Sequence, residues 1–168
     1  MRDLRYGIEI EMTGLSRGKA AETLAGFFGT RAEHTGGGYD AYAVRDAQGR
    51  VWKLVSDGSI QTQKKVRGQT VAADSTYSVE LVSPVCVYED IETIQEIVRA
   101  LRRNNALVND SCGIHVHVGA EKFDAQHLRN ITNIMASKEE LIYKALQVDL
   151  NRSQDYCRRV EQRFLRQV

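Results

Sequence analysis

Ile8-Glu9-Ile10-Glu11-Met12 alternates apolar and acidic residues with a period of two. A strand sends successive side chains to opposite faces, so Glu9 and Glu11 share one face and Ile8, Ile10 and Met12 the other. Further along, Ile114-His115-Val116-His117-Val118 repeats the pattern with imidazoles in place of carboxylates. His115 and His117 share a face over Ile114, Val116 and Val118. Two such strands, each with a greasy face and a ligand-bearing face, predict a sheet with a core on one side and a metal-and-phosphate site on the other.

Reading outward from these strands gives the remaining elements. The first strand runs from Arg5 to Met12 and is closed by Thr13-Gly14. Lys19 to Phe28 has the apolar stripe of a short helix, through Ala20, Leu24 and Phe27 or Phe28. Gly36-Gly37-Gly38 lacks the frame of a phosphate loop and reads as a hairpin connection or a lid. Tyr39–Arg45 and Val51–Val55 form a hairpin across Asp46-Ala47-Gln48-Gly49. Ile60 to Ser75 is polar and weakly patterned, which predicts a long loop of the functional kind. Tyr77 to Val82 is a strand stopped at Ser83-Pro84.

Asp90 is placed to cap a helix whose Ile91, Ile94, Ile97, Val98 and Leu101 fall at helical spacing. Ala106–Val108 is a short strand. Asp124 caps a long helix to about Gln147, with Leu128, Ile131, Ile134, Met135, Leu141, Ile142 and Ala145 on its inner face. A last helix runs from about Ser153 to Val168. Strands and helices do not alternate regularly, so the fold class is α+β, with a mainly antiparallel sheet and helices packed on one face.

At 168 residues the chain fits one domain with a sizeable core. A net charge of +1 gives no argument for nucleic acid or a membrane as partner. The basic stretch from Arg158 to Arg166 is interrupted by acidic and apolar residues and reads as a solvated helix face. Cys86, Cys112 and Cys157 are odd in number and lack CxxC spacing, and no apolar segment has signal or membrane length. Both features predict a reducing, cytoplasmic setting. Cys112 reads as a small residue in the turn before the His strand, not as a nucleophile.

The carboxylates are the first candidates for chemistry. Side chains at i and i+2 of a strand are rooted roughly 7 Å apart, which suits two neighbouring divalent cations, or one with its water shell. Mg²⁺ takes hard oxygen ligands and commonly keeps substrate phosphates in its sphere. Glu80 interrupts an otherwise apolar strand and offers a third carboxylate. A neutral imidazole binds metal and a protonated one pairs with phosphate oxygens, so His115 and His117 suit either task. Asp57, held at a strand end by Gly58-Ser59, is placed to grip an amine or a metal-bound water.

Together, the stretches Arg5–Met12, Trp52–Ser59, Val79–Pro84 and Asn109–Gly119 resemble the amidoligase family. Its members are carboxylate–amine ligases with a glutamine synthetase-like fold. The resemblance runs from Arg5 to about Arg152, with the four motifs in the family's order. It implies that Glu9 and Glu11 bind divalent ions and that Glu80 is a further ion ligand. It places His115 on a metal, His117 near the nucleotide phosphates and Asp57 at the amine substrate. The implied cofactors are Mg²⁺ (or Mn²⁺) and ATP. Family members run on further, with a Glu and an Arg that complete the metal and phosphate shell. The expectation here is one domain, 1–168, lacking that C-terminal part.

The reaction so implied is amide bond formation through an acyl phosphate, from small-molecule or peptide carboxylate and amine substrates. Neither nucleic acid nor membrane is an expected partner. A second copy of the chain or the missing C-terminal segment would cover the basic helix near Arg158. Two other readings stay open. One is a partial or degenerate ligase domain serving as a nucleotide-binding or assembly module. The other is a cupin-like mononuclear metal enzyme, since His115-x-His117 and Glu121 have the His-x-His-x₃-Glu spacing.

Overall fold

A computed structural model describes residues 4–148, 150–154 and 156–165. They fall into two compact units, one up to Gly119 and one from Ala120 onward. The first contains β1 (Tyr6–Met12), α1 (Arg17–Phe28), β2 (Ala32–Gly36), β3 (Ala41–Arg45) and β4 (Val51–Val55). It continues through β5 (Gln63–Val66), β6 (Gln69–Ala72), β7 (Val79–Val82), α2 (Ile91–Arg103) and β8 (Ile114–Val118). The fold is α+β. Six strands form one sheet in the order β2-β3-β4-β7-β1-β8, and every neighbouring pair is antiparallel.

The alternation in each strand sets which face is buried. Trp52 and Leu54 of β4, Val79 and Leu81 of β7 and Met12 of β1 pack with Leu24 of α1 and with Ile97 and Leu101 of α2. Burying such side chains is worth about 1.5–3 kcal/mol each, so this face is the one the chain cannot expose. Helix α1 is capped by Ser16, whose hydroxyl accepts from the Lys19 N–H at 3.3 Å, and it is closed by Gly29 in the left-handed conformation. Gly14 ends β1 at φ +89°, where a Cβ would lie 2.3 Å from the Asn105 carbonyl oxygen. Only glycine fits that close approach.

Several expectations are corrected. Residues 60–75 are not a structureless loop: β5 and β6 pair there across an Arg67-Gly68 turn. The backbone makes that pairing without an apolar face, so no period-two signal marks it. Residues 32–36 form β2, an edge strand of the polar sequence Ala32-Glu33-His34-Thr35-Gly36, and residues 37–40 turn the chain into β3. Ala106–Val108 reduces to a single bridge between Thr13 and Leu107. The Asp90 carboxylate does not cap α2; it accepts from both terminal nitrogens of Arg50 at 2.8 and 2.9 Å and from the Val87 N–H. Ile114, Val116 and Val118 lie on an edge strand and stay 65, 60 and 50 % exposed, so they are not core.

The second unit holds α3 (Ala125–Leu146), α4 (Leu150–Gln154) and α5 (Gln162–Leu165). Asp124 caps α3 as expected, accepting from the His127 N–H at 2.9 Å. No described residue of α3 is buried, so its apolar stripe does not fill an inner face. The last helix is two short ones, with residues 158–161 outside both; its expected end at Val168 lies outside the described residues. No helix among the described residues is long and apolar enough to cross a membrane.

Candidate metal centre

Strand β1 lies between β7 and β8, and the pairing register builds the site. Glu11 faces Glu80 across β1–β7, and Glu9 faces His115 across β1–β8. His117 faces Gly7, and Val55 faces Glu80 from β4. Directly paired residues share a face. The carboxylates of β1 and β7 and the imidazoles of β8 therefore gather on the side of the sheet opposite Trp52 and Leu54. Asp57, two residues beyond β4, joins them at the strand end.

Glu9 sits between the two histidines: His115 Nδ1 is 3.1 Å from one of its oxygens and His117 Nε2 is 3.2 Å from the other. Glu11 is buried and accepts a hydrogen bond from the Gly113 N–H at 2.6 Å; its own N–H donates to the Gly113 carbonyl at 3.0 Å. That reciprocal pair fixes the entry to β8 beside the acidic strand. Ser78 clamps Asp57, since its hydroxyl accepts from the Asp57 N–H at 2.9 Å and donates to the Asp57 carbonyl at 2.6 Å. The Asp57 carboxylate accepts from the Ser59 N–H at 2.6 Å, which orients it in a tight turn.

Two groups of donors converge. Glu9, Glu80 and His115 bring one ligand atom each within 4.8 Å of one another, and so do Glu11, Asp57 and Glu80. Glu80 belongs to both. Hard carboxylate oxygens with a single imidazole fit Mg²⁺ or Mn²⁺, not a soft-thiolate metal. His117 lies in neither group and reaches the site through Glu9. The sequence brings forward Glu9, Glu11, Glu80, His115, His117 and Asp57, and the fold assembles all six on one face.

The electrostatics follow from crowding. Burial, followed by the charges of Glu9, Asp57 and Glu11, pushes the Glu80 carboxyl up to about 6. Burial also pushes Glu9 upward, but hydrogen bonds from His115 and His117 outweigh it and hold Glu9 below the ordinary carboxylate range. A raised carboxyl pKa means that the folded, ion-free protein holds the proton more tightly than the unfolded chain. Glu80 therefore contributes stability at pH below its ordinary value, which is lost as pH rises through about 6. Glu9 works the other way: its contribution is present above its ordinary pKa and is lost as pH falls through its depressed one.

A divalent ion held by Glu80 would have to displace its proton. Affinity for Mn²⁺ is therefore expected to fall as pH drops through about 6, approaching about tenfold per pH unit below it. Calorimetry in buffers of different ionisation enthalpy checks this by counting the proton released. A pH-independent affinity between 5 and 7, in about that window, would exclude Glu80 as a ligand.

Glu9, Asp57, Glu80 and His115 line a cleft of about 500 Å³ whose wall also carries Lys53 and Tyr39. Sequence reading missed both. Lys53 is signalled by alternation within Val51–Val55: Trp52 and Leu54 are buried, so Lys53 faces the site side, where it pairs with Val82. Tyr39 carries no comparable signal, because it lies in a turn.

A family model described as "putative amidoligase enzyme" matches residues 2–168. No curated protein and no solved structure matches the chain.

Proposed function

The chain belongs to the amidoligase family, and from that premise we propose that it joins a carboxylic acid to an amine at the expense of ATP, through an acyl phosphate. The observation that carries the reading is the pair of donor groups sharing Glu80. A nucleotide and an acid are both anionic, and a site that brings them together beside four carboxylates needs cations. Mg²⁺ or Mn²⁺ would screen that charge and stabilise the transferring phosphoryl group. Glu9, Glu11, Glu80 and His115 would hold the ions. A glutamine synthetase-like arrangement of the sheet belongs to the same proposal.

The other residues have separate tasks. His117, steadied by Glu9 at 3.2 Å, is a donor available to a phosphate oxygen. Asp57 would accept a proton from the incoming ammonium or hold it in place. Its convergence with Glu11 and Glu80 supports a further task as an ion ligand before the amine arrives. The backbone clamp from Ser78 favours both roles, since each needs a carboxylate of fixed direction.

Thermal unfolding tests the reading. Stabilisation is expected when Mg²⁺ and a non-hydrolysable ATP analogue are present together, well beyond the sum of the two alone, because a ligand that binds only the folded state raises its stability. An analogue that stabilises equally without Mg²⁺, or not at all, counts against it.

A further inference from the structure

We propose that the β5–β6 hairpin is an anion-binding arm for an acid substrate that carries carboxylates beyond the reacting one, held by Lys65 and Arg67; the proposal rests on the ligase reading. The arm is rooted at the metal centre. Its first strand begins four residues after the Asp57-Gly58-Ser59 turn. At its stem the Gln63 N–H donates to the Thr13 hydroxyl at 2.8 Å, and the Gly14 N–H donates to the Gln63 carbonyl at 2.9 Å. On the other side the Gln61 N–H donates to the Ser111 hydroxyl and the Asn109 side-chain amide to the Gln61 carbonyl, both at 2.8 Å. Thr13 follows Glu11 by two residues, and Ser111 precedes by two the Gly113 that binds Glu11. The stem is thus tied to the strands that carry the donors.

What the arm presents is charge. From Gln61 to Ala73 it contains Lys64, Lys65 and Arg67 and no acidic residue. Lys64 is occupied over the Tyr77 ring, 5.3 Å from its centroid. Lys65 and Arg67 are exposed, and neither has an ion-pair partner among the described residues. All of β6 is exposed too, so the hairpin adds little to the core.

Arg67 supplies an independent sign. With Gly68 it forms a two-residue turn with φ +49° and +83°. The first position of such a turn suits Asn, Asp or Gly, and an arginine there is held in a conformation that costs backbone energy. An arginine standing at that cost, at the tip of a basic arm, points to use of its side chain. The four site carboxylates repel any acid substrate. Ions can hold the reacting carboxylate, but further carboxylates need cations outside the centre, and Lys65 and Arg67 supply them. Single-stranded nucleic acid is disfavoured, because the segment has no aromatic residue on which a base could stack.

The test uses fluorescein-labelled tetraglutamate as probe and the double variant Lys65→Gln, Arg67→Asn. Asn suits the turn better than Arg, so the hairpin should fold at least as well. With the Mn²⁺-loaded chain, the double variant should bind tetraglutamate at least about tenfold more weakly, with a shallower salt dependence and unchanged Mn²⁺ affinity. No tetraglutamate binding by the parent, or equal binding by both proteins, overturns the proposal. Loss of affinity for the ATP analogue instead of tetraglutamate would assign the arm to nucleotide phosphates, and oligouridylate binding stronger than tetraglutamate binding would assign it to RNA; either overturns it. Tetraglutamate held through Lys65 and Arg67 in a protein with no joint Mg²⁺–nucleotide stabilisation would keep the arm and refute the ligase reading.

Discussion

Glu80→Gln is expected to weaken divalent-ion binding by at least about 100-fold while leaving the ion-free protein no less stable than the parent. The two effects have one cause. Glu80 is the carboxylate common to both donor groups, so one substitution would damage both. It is also the group whose charge the fold resists, through burial and the charges of Glu9, Asp57 and Glu11. The neutral amide keeps the volume and removes the repulsion. A purely structural carboxylate would give the reverse result, with lost stability and unchanged Mn²⁺ affinity. Manganese titration and urea denaturation of the same two proteins separate these outcomes.

Arg17→Met is expected to cost about 3 kcal/mol of stability and to loosen the site from a distance. Arg17 opens α1 and is only 4 % exposed. Its guanidinium donates to the carbonyls of Ser75 at 2.6 Å, Ser78 at 2.7 Å and Asp40 at 3.2 Å, and it pairs with the Asp40 carboxylate. Methionine fills much of the space and satisfies none of these acceptors. A chain of this size should then unfold about 10 °C lower. Ser78 is also the residue that clamps Asp57, so Mn²⁺ affinity should fall as well. Arg17→Lys should restore little, because a single ammonium cannot reproduce the guanidinium fork. A loss below about 1 kcal/mol would show that the carbonyls find other partners.

The site was more legible in the sequence than the fold around it, for a physical reason. Glu-x-Glu and His-x-His announce themselves because alternation is a local property of a strand, visible within five residues. Which strand lies beside which is not local. Nothing within Ile8–Met12 or Val79–Val82 says that Glu11 pairs with Glu80, and that register turns separate carboxylates into two groups sharing a ligand. Family resemblance gathered the same residues, but the geometry added Asp57 to the oxygen donors and Lys53 to the cleft wall.

The misread segments fail for related reasons. β2, β5 and β6 are held by backbone hydrogen bonds with few buried side chains, so no hydrophobic pattern marks them. Asp90 sits where a helix cap should be, yet Arg50, distant in sequence, claims its carboxylate. Ile114, Val116 and Val118 have the alternation of a half-buried strand, and only the sheet order shows that they belong to an edge. The stripe of α2 was legible because Ile94, Ile97 and Leu101 bury the face that its period predicts, while Ile91 at its start stays exposed.

We propose that two divalent ions share Glu80, one also held by Glu9 and His115 and the other by Glu11 and Asp57, with His117 beside them on the same sheet face. Calorimetric titration of Mn²⁺ into the parent chain and into Glu80→Gln, at a pH well above the Glu80 value of about 6, decides the matter. Saturable binding of two ions per parent chain is expected, and of neither in the variant over the same range. Absence of saturable binding in the parent, or an unchanged stoichiometry in Glu80→Gln, would contradict it.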